Sequence, residues 1–182
     1  MESPAGQKQL LRKTLRLLAK QQDPAELEKE SRLICNRLEL SPEFNKAQSL
    51  LLYYALPDEV STLELIQNWY KQKNLLLPVI IDDSTMVLRL YTGQQKMQLN
   101  RWGIAEPIGE DYEDYNNIDL AVIPGLAFDK QGYRLGRGKA YYDRFLYQLR
   151  CPVFGLCFAF RYLDNLPLEA WDIPVQRVIS SL

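Results

Sequence analysis

The sequence "IDLAVIPGLAFDKQGYRLGRGKAYYDRFL", residues 118–146, joins a strand-length apolar run to a helix through a loop rich in glycine and arginine. The run at 118–124 is apolar on both faces, which is typical of a buried strand in a parallel sheet. The helix is predicted from about Lys139, with Tyr142 and Phe145 on its core face. A strand, a loop and a helix in this order form the repeating unit of α/β proteins, so this stretch indicates an α/β fold.

The rest of the chain repeats this alternation. Further strand-length runs are "SLLLYYAL" (49–56), "LLLPVII" (75–81), "MVLRLY" (86–91), "PVFGLCFAF" (152–160) and "VQRVIS" (175–180). Three helices are predicted. The first covers 8–21, the second begins at the Asp23-Pro24 start signal, and the third covers 61–72, where Ser61 and Glu64 suggest a capping box. The segment 92–117 has the weakest pattern and is expected to be rich in loops. We predict a single three-layer domain over residues 1–182, Rossmann-like, with a mostly parallel sheet and helices on both faces.

Composition restricts the partners that such a domain could have. The chain has 182 residues, 22 basic and 23 acidic, so its net charge is −1 and any cationic site must be local. No apolar run approaches the roughly 18 residues needed to span a bilayer. The three cysteines form no CxxC pair, which suits reduced thiols packed in a core. We therefore expect a cytoplasmic protein without a nucleic-acid or membrane partner; protein partners are not indicated.

The chain contains no histidine. Its absence excludes Ser-His-Asp and Cys-His catalysis and histidine-ligated zinc. A metal ion here should be a hard cation held by carboxylates and substrate oxygens, which favours magnesium.

The glycine-arginine loop follows the strand at 118–124, where ligands bind in open α/β sheets. Arg134, Arg137 and Lys139 supply positive charge, while Gly136 and Gly138 allow the backbone to approach an anion closely. These features favour a polyphosphate or nucleotide, and the alternative is a solvated turn with flanking basic residues. The loop is not a Walker A sequence, because Ala rather than Ser or Thr follows the Gly-Lys pair, and GxGxxG also fails.

Asp143 lies in the first turn of the predicted helix, off the apolar face. Its carboxylate either complements the helix dipole or binds magnesium beside the phosphates.

The stretch "PGLAFDKQGYRLGRGKAYYDRFL" resembles the signature of the 5-formyltetrahydrofolate cyclo-ligase (5,10-methenyltetrahydrofolate synthetase) family. That signature reads Pro-Gly-x-x-Phe-Asp, then Gly-x-Arg-Leu-Gly-x-Gly-x-Gly-Tyr-Tyr-Asp. The segments "YYALPDEVST" and "WGIAEP", an amino-terminal Lys-x-x-x-Arg and the closing tail also fit. The resemblance implies a fold similar to the NagB/RpiA/CoA-transferase group. It also implies ATP- and Mg²⁺-dependent cyclisation of 5-formyltetrahydrofolate to 5,10-methenyltetrahydrofolate, with release of ADP and phosphate.

The resemblance also implies roles for individual residues. The implied ATP-binding residues are Lys8, Arg12, Arg134, Leu135, Gly136, Arg137, Gly138, Lys139, Ala140, Tyr141 and Tyr142. Among them Arg137 and Lys139 are expected nearest the transferred phosphoryl group, as catalytic residues. From the helical pattern alone, Lys8 and Arg12 would belong to a solvated basic face.

Magnesium and folate positions follow from the same resemblance. Asp143 and Asp172 are the implied magnesium ligands, although Asp172 alone could be a cap or turn residue. Tyr54 and Glu59 match folate-side positions, and Trp102 is expected to form a wall for the pterin or benzoyl ring. The alternatives are a core aromatic residue, a helix-entry acid and a buried tryptophan, respectively.

The chain departs from the family pattern at two places. Ala140 replaces the usual glycine, which costs about 1–2 kcal/mol if that backbone is left-handed and is mildly favourable if it already lies in the helix. Arg161 and its neighbours occupy a region where many members have glutamine. An alternative function is therefore a folate- or nucleotide-binding paralog with reduced or no turnover because of Ala140. An RNA-binding role for "RLGRGK" is disfavoured by the negative net charge.

Overall fold

The computed structural model describes residues 3–182. The α-helices are α1 (Pro4–Ala19), α2 (Pro24–Glu39), α3 (Pro42–Lys46), α4 (Leu63–Trp69) and α5 (Tyr141–Phe145). The strands are β1 (Ser49–Leu51), β2 (Asn74–Ile80), β3 (Met86–Leu90), β4 (Met97–Leu99), β5 (Ala105–Pro107), β6 (Leu120–Ile123), β7 (Ala127–Asp129), β8 (Arg134–Leu135), β9 (Val153–Cys157), β10 (Tyr162–Leu163) and β11 (Arg177–Ser180).

The main sheet has six strands in the order β11-β9-β6-β1-β2-β3. The first five strands in this order are mutually parallel, and β3 adds an antiparallel edge to β2. The central strands are buried on both faces, as their continuous apolar sequences predict. The prediction of a mostly parallel sheet is confirmed.

Helices cover both faces of this sheet. Leu50 and Leu52 of the β1 segment belong to the cluster that α2, α3 and α4 complete, whereas Leu51 points to the opposite cluster. On that second face, α5 and the short 3₁₀ turn after it contribute Phe145 and Leu146. The alternation of side chains along one strand thus builds two cores and the expected layered α/β architecture.

A three-stranded sheet, β10-β7-β8, carries the glycine-arginine loop. The β7–β8 hairpin rises directly after β6, so the loop begins beyond the carboxyl end of a central strand. Helix α1 packs on this small sheet, because Leu15 is buried with Leu126 and Leu135. The amino-terminal helix is therefore adjacent to the loop.

The predicted capping box at Ser61 and Glu64 was wrong, whereas the segment 92–117 is rich in loops as expected. The helix at 61–72 has no side-chain cap, because the Thr62 hydroxyl donates to the Tyr53 carbonyl oxygen instead. The region 92–117 contains the β4–β5 hairpin as well as loops. None of the helices in residues 3–182 has the length and hydrophobicity needed to cross a membrane.

Candidate active site

A cavity of about 350 Å³ lies beyond the carboxyl end of β6. The predicted site residues in its wall are Tyr54, Glu59, Trp102, Arg134, Gly136, Arg137, Lys139, Ala140, Tyr141, Tyr142 and Asp143. The structure thus brings the glycine-arginine loop together with Tyr54, Glu59 and Trp102 in one enclosure, although these segments are distant in sequence. Trp102 is 45% exposed, so it is a wall residue and not a buried core tryptophan.

The remaining predicted residues, Lys8, Arg12, Leu135, Gly138 and Asp172, are not part of the cavity wall. Arg12 Nε donates to the Gly136 carbonyl oxygen over 2.9 Å, and a Cβ atom on Gly138 would lie 3.8 Å from Arg12 Cζ. Helix α1 therefore contacts the loop directly through Arg12. Leu135 is 1% exposed in the cluster with Leu15, so its side chain faces away from the cavity.

Lys8 is not on a solvated face. Its side chain is buried, and its ammonium group binds Asp172 at 2.5 Å and Glu169 at 2.8 Å. Burial alone would lower the pKa of Lys8, but the two carboxylates outweigh it and raise the pKa. The helical pattern could not reveal this pairing because its partners lie more than 160 residues away.

Arg137 is held by the acidic pair that follows "YYALP". Its guanidinium donates to Glu59 Oε1 over 3.0 Å and forms an ion pair with Asp58. Burial would raise the pKa of Asp58, yet the charges of Arg137 and Arg161 lower it. Glu59 is fully engaged, because its Oε2 also accepts from the Leu56 N–H at 3.0 Å.

Two residues of this network were not assigned a site role from the sequence. Arg161 is 1% exposed and donates to the Asp58 carbonyl oxygen at 2.5 Å and to its carboxylate at 3.3 Å. Asp58 thereby links the buried Arg161 to Arg137 at the cavity wall. The available signal was the Asp-Glu pair at 58–59 and the departure already noted around Arg161.

Each candidate magnesium ligand already has a cationic partner. Arg134 Nη2 contacts Asp143 Oδ1 at 2.5 Å, and Lys8 contacts Asp172. Within residues 3–182, no group of three or more His, Cys, Asp or Glu side chains could hold a metal by itself. The two carboxylates are suitable hard oxygen donors, but magnesium would need further oxygens from a substrate.

Two neutral phenols complete the wall near Glu59. Burial, reinforced by the Glu59 carboxylate, raises the pKa of Tyr53 and of Tyr142 well above the usual range. Both hydroxyl groups therefore stay protonated at neutral pH and carry no charge into the cavity.

Helix α5, which follows the glycine-arginine loop, is short. It spans five residues and continues as a 3₁₀ turn, so its dipole is small compared with a long helix. The positive charge of the loop comes from side chains. Lys139 is the most exposed of them and forms a 3.3 Å ion pair with Asp83 at the mouth.

Ala140 adopts the left-handed conformation, with φ 54° and ψ 25°. It is the single non-glycine residue with positive φ in the described chain.

We expect Ala140→Gly to raise the free energy of unfolding by about 1 kcal/mol, because relief of the left-handed strain exceeds the added entropy of the unfolded chain. Urea unfolding measures this difference. The matched control is Ala25→Gly in α2, which should lower stability; a similar loss for Ala140→Gly would contradict the expectation.

Comparison with known proteins identifies consistent relatives. The model of the 5-formyltetrahydrofolate cyclo-ligase family matches residues 4–181. A 5-formyltetrahydrofolate cyclo-ligase of Haemophilus influenzae is 34% identical over 145 residues, covering 75% of this chain and 78% of the relative. A probable enzyme of the same name from Schizosaccharomyces pombe is 31% identical and covers 85% of each chain. The NMR structure of Aquifex aeolicus 5,10-methenyltetrahydrofolate synthetase superposes with a TM-score of 0.85 at 32% identity, covering 94% of this chain and 88% of that one.

Proposed function

Because this chain belongs to the 5-formyltetrahydrofolate cyclo-ligase family, we propose that its cavity binds ATP beside 5-formyltetrahydrofolate, phosphorylates the formyl oxygen and closes the folate ring. The products are 5,10-methenyltetrahydrofolate, ADP and phosphate. The proposal includes residues 1–182 as one catalytic domain, which the family match over 4–181 supports.

One observation carries the proposal. The cationic loop with Arg137 and Lys139 forms one wall of the same cavity that Tyr54 and Trp102 line from other elements. A phosphoryl donor held by the loop and a flat ring held by the aromatic side chains would then meet inside one enclosure. Phosphoryl transfer depends chiefly on such positioning and on charge neutralisation.

The proposed reaction has two stages, phosphoryl transfer and ring closure. The formyl oxygen attacks the γ-phosphorus of ATP, the bond to ADP breaks, and the formyl carbon becomes activated. Nitrogen 10 then attacks that carbon, its proton leaves, and the carbon–oxygen bond breaks to release phosphate. Neither stage needs a histidine.

The side chains of the cavity match these needs. Arg137 and Lys139 stabilise negative charge that develops on the transferred phosphoryl group. Arg12 anchors the loop through Gly136, and Arg134 braces Asp143. Magnesium, held by Asp143 and Asp172 together with phosphate oxygens, would neutralise charge on the polyphosphate.

Turnover is the direct test. We expect purified protein to generate the absorbance of 5,10-methenyltetrahydrofolate when ATP, magnesium and 5-formyltetrahydrofolate are all present. Each omission should abolish the signal, and phosphate release should match product in a one-to-one ratio. Folded protein that forms no product in the complete mixture contradicts the proposal.

A second candidate function is binding of folate or nucleotide with little turnover. It is favoured by Ala140, because its methyl group lies in the cavity wall where family members usually have glycine. In that case wild-type protein should bind 5-formyltetrahydrofolate without product, and Ala140→Gly should restore turnover. Equal turnover by both proteins would exclude this candidate.

A further inference from the structure

A second buried carboxylate lies in the wall of the same cavity. Glu106 belongs to β5, the second strand of the β4–β5 hairpin. Its side chain is 3% exposed, and the residue lines the same cavity as Trp102. None of the roles assigned above uses it.

One oxygen of this carboxylate is fixed by the protein. Oε1 accepts from the Ile80 N–H at 2.9 Å and from Asn100 Nδ2 at 2.7 Å. The Asn100 side-chain oxygen in turn accepts from the backbone N–H groups of Trp102 and Ile104. The orientation of Glu106 is therefore set by the same turn that presents Trp102.

The other oxygen has no donor among the described residues. Oε2 makes no hydrogen bond, and no lysine or arginine of residues 3–182 lies within ion-pair distance of Glu106. Nor is Oε2 sealed inside the protein, since the fully enclosed side-chain atoms without partners in residues 3–182 are Glu43 Oε2 and Arg161 Nε. The cavity is thus the place from which Oε2 can receive a donor. Glu59 differs, because both of its oxygens are engaged.

A buried acceptor of this kind selects its ligand by chemistry. An ionised carboxylate accepts hydrogen bonds and donates none. It therefore repels phosphates, the glutamate tail of a folate and the formyl oxygen. A reduced pterin ring instead presents two adjacent donors, the 2-amino group and the N3–H. Adenine has one amino group flanked by acceptor nitrogens, which fits a carboxylate less well.

We infer that Glu106 is a specificity-determining residue that accepts hydrogen bonds from the 2-amino and N3–H edge of the pterin ring through Oε2. This inference rests on the proposed function, since it assigns one end of the proposed folate substrate. It orients the pterin at the β5 wall and leaves the rest of the substrate to extend toward the cationic loop.

Glu106→Gln is the appropriate variant because it keeps the shape and the bonds at Oε1. Its side-chain amide then places a donor where Oε2 accepted. We expect the affinity for 6-methyltetrahydropterin and for 5-formyltetrahydrofolate to fall roughly 10- to 100-fold. Affinities for p-aminobenzoylglutamate and for ATP, and the unfolding midpoint, should stay unchanged. Isothermal titration without the second substrate measures each affinity.

Glu110→Gln is the matched control, because Glu110 is an exposed carboxylate beyond the same hairpin. It should bind all four probes like the wild type. If Glu106→Gln lost affinity equally for every probe, Glu106 would have only a structural role and the inference would be overturned. Unchanged pterin affinity, or wild-type protein that binds no tetrahydropterin, would overturn it as well. The proposed function is judged separately, by turnover of the wild-type protein.

Discussion

Arg137→Ala is expected to lower kcat for ring closure at least about 100-fold, with a smaller change in KM for ATP. Arg137 lies at the cavity wall and keeps its positive charge. Burial would lower the pKa of its guanidinium, but Glu59 and Asp58 raise that pKa above its usual value. Negative charge is redistributed over the equatorial and leaving oxygens during transfer, so a cation positioned for that arrangement stabilises the transition state more than bound ATP. Loss of such an interaction lowers kcat more than it changes binding.

The arginine fork itself should matter. Arg137→Lys retains the positive charge but loses the bidentate geometry, so its kcat should lie between those of the wild type and Arg137→Ala. Steady-state kinetics with varied ATP and saturating 5-formyltetrahydrofolate would give kcat and KM for ATP. Arg32→Ala is the matched control: Arg32 is an exposed arginine on α2 that pairs with Glu28 and with Glu64 of α4, and its loss should leave kcat unchanged. Similar kcat values for Arg137→Ala and Arg32→Ala would remove Arg137 from catalysis.

The fold was largely predictable because its strands are continuous apolar runs. Burial on both faces leaves a strong local signature, so the runs at 75–81 and 118–124 appear as β2 and β6. Helix α3 was missed since it is a single turn, set by the Ser41 cap and the burial of Phe44, which is too short for a periodic pattern. Strand β1 ends at Leu51 although the apolar run continues to 56, because the chain then leaves the sheet for the cavity wall.

The basic residues of the candidate site could be predicted from the sequence, whereas the acidic residues that pair with them could be predicted less well. Glycines and arginines cluster in one loop, so the cationic wall is visible in the sequence. The partners of these cations come from distant segments: Asp172 reaches Lys8, and Arg161 reaches Arg137 through Asp58. A local pattern carries no information about such contacts. The conformation of Ala140 was also open, because alanine is compatible with a helix start and the left-handed state depends on the surrounding loop.

These pairings explain how the cations in and near the cavity are neutralised by the protein itself. Lys8, Arg134 and Arg137 each contact carboxylates, so the cations are neutralised inside the protein. A polyphosphate would compete with those carboxylates for the same cations. Under the proposed function, Asp143 and Asp172 would then be released from their cationic partners as ATP binds and could accept a metal ion that accompanies the nucleotide.

The second large effect is expected for Asp143→Asn. The variant should raise the magnesium concentration for half-maximal activity at least about tenfold and lower kcat/KM by about 100-fold. A hard divalent cation prefers charged oxygens, and the described chain offers no cluster of three acidic ligands that could compensate. The asparagine oxygen can still accept from Arg134, so the fold should be retained.

Magnesium titration of initial rates, at fixed free ATP, measures this shift. Asp164→Asn is the matched control, because Asp164 also pairs with a cation, Lys130, but both side chains are exposed. Its magnesium dependence should equal that of the wild type. If Asp143→Asn kept the wild-type half-saturation and lost only kcat, Asp143 would act by bracing Arg134 and would not bind the metal. Addition of Mn²⁺ separates the two roles further, because a weakened oxygen site should recover activity with a more tightly binding ion whereas a lost brace should not.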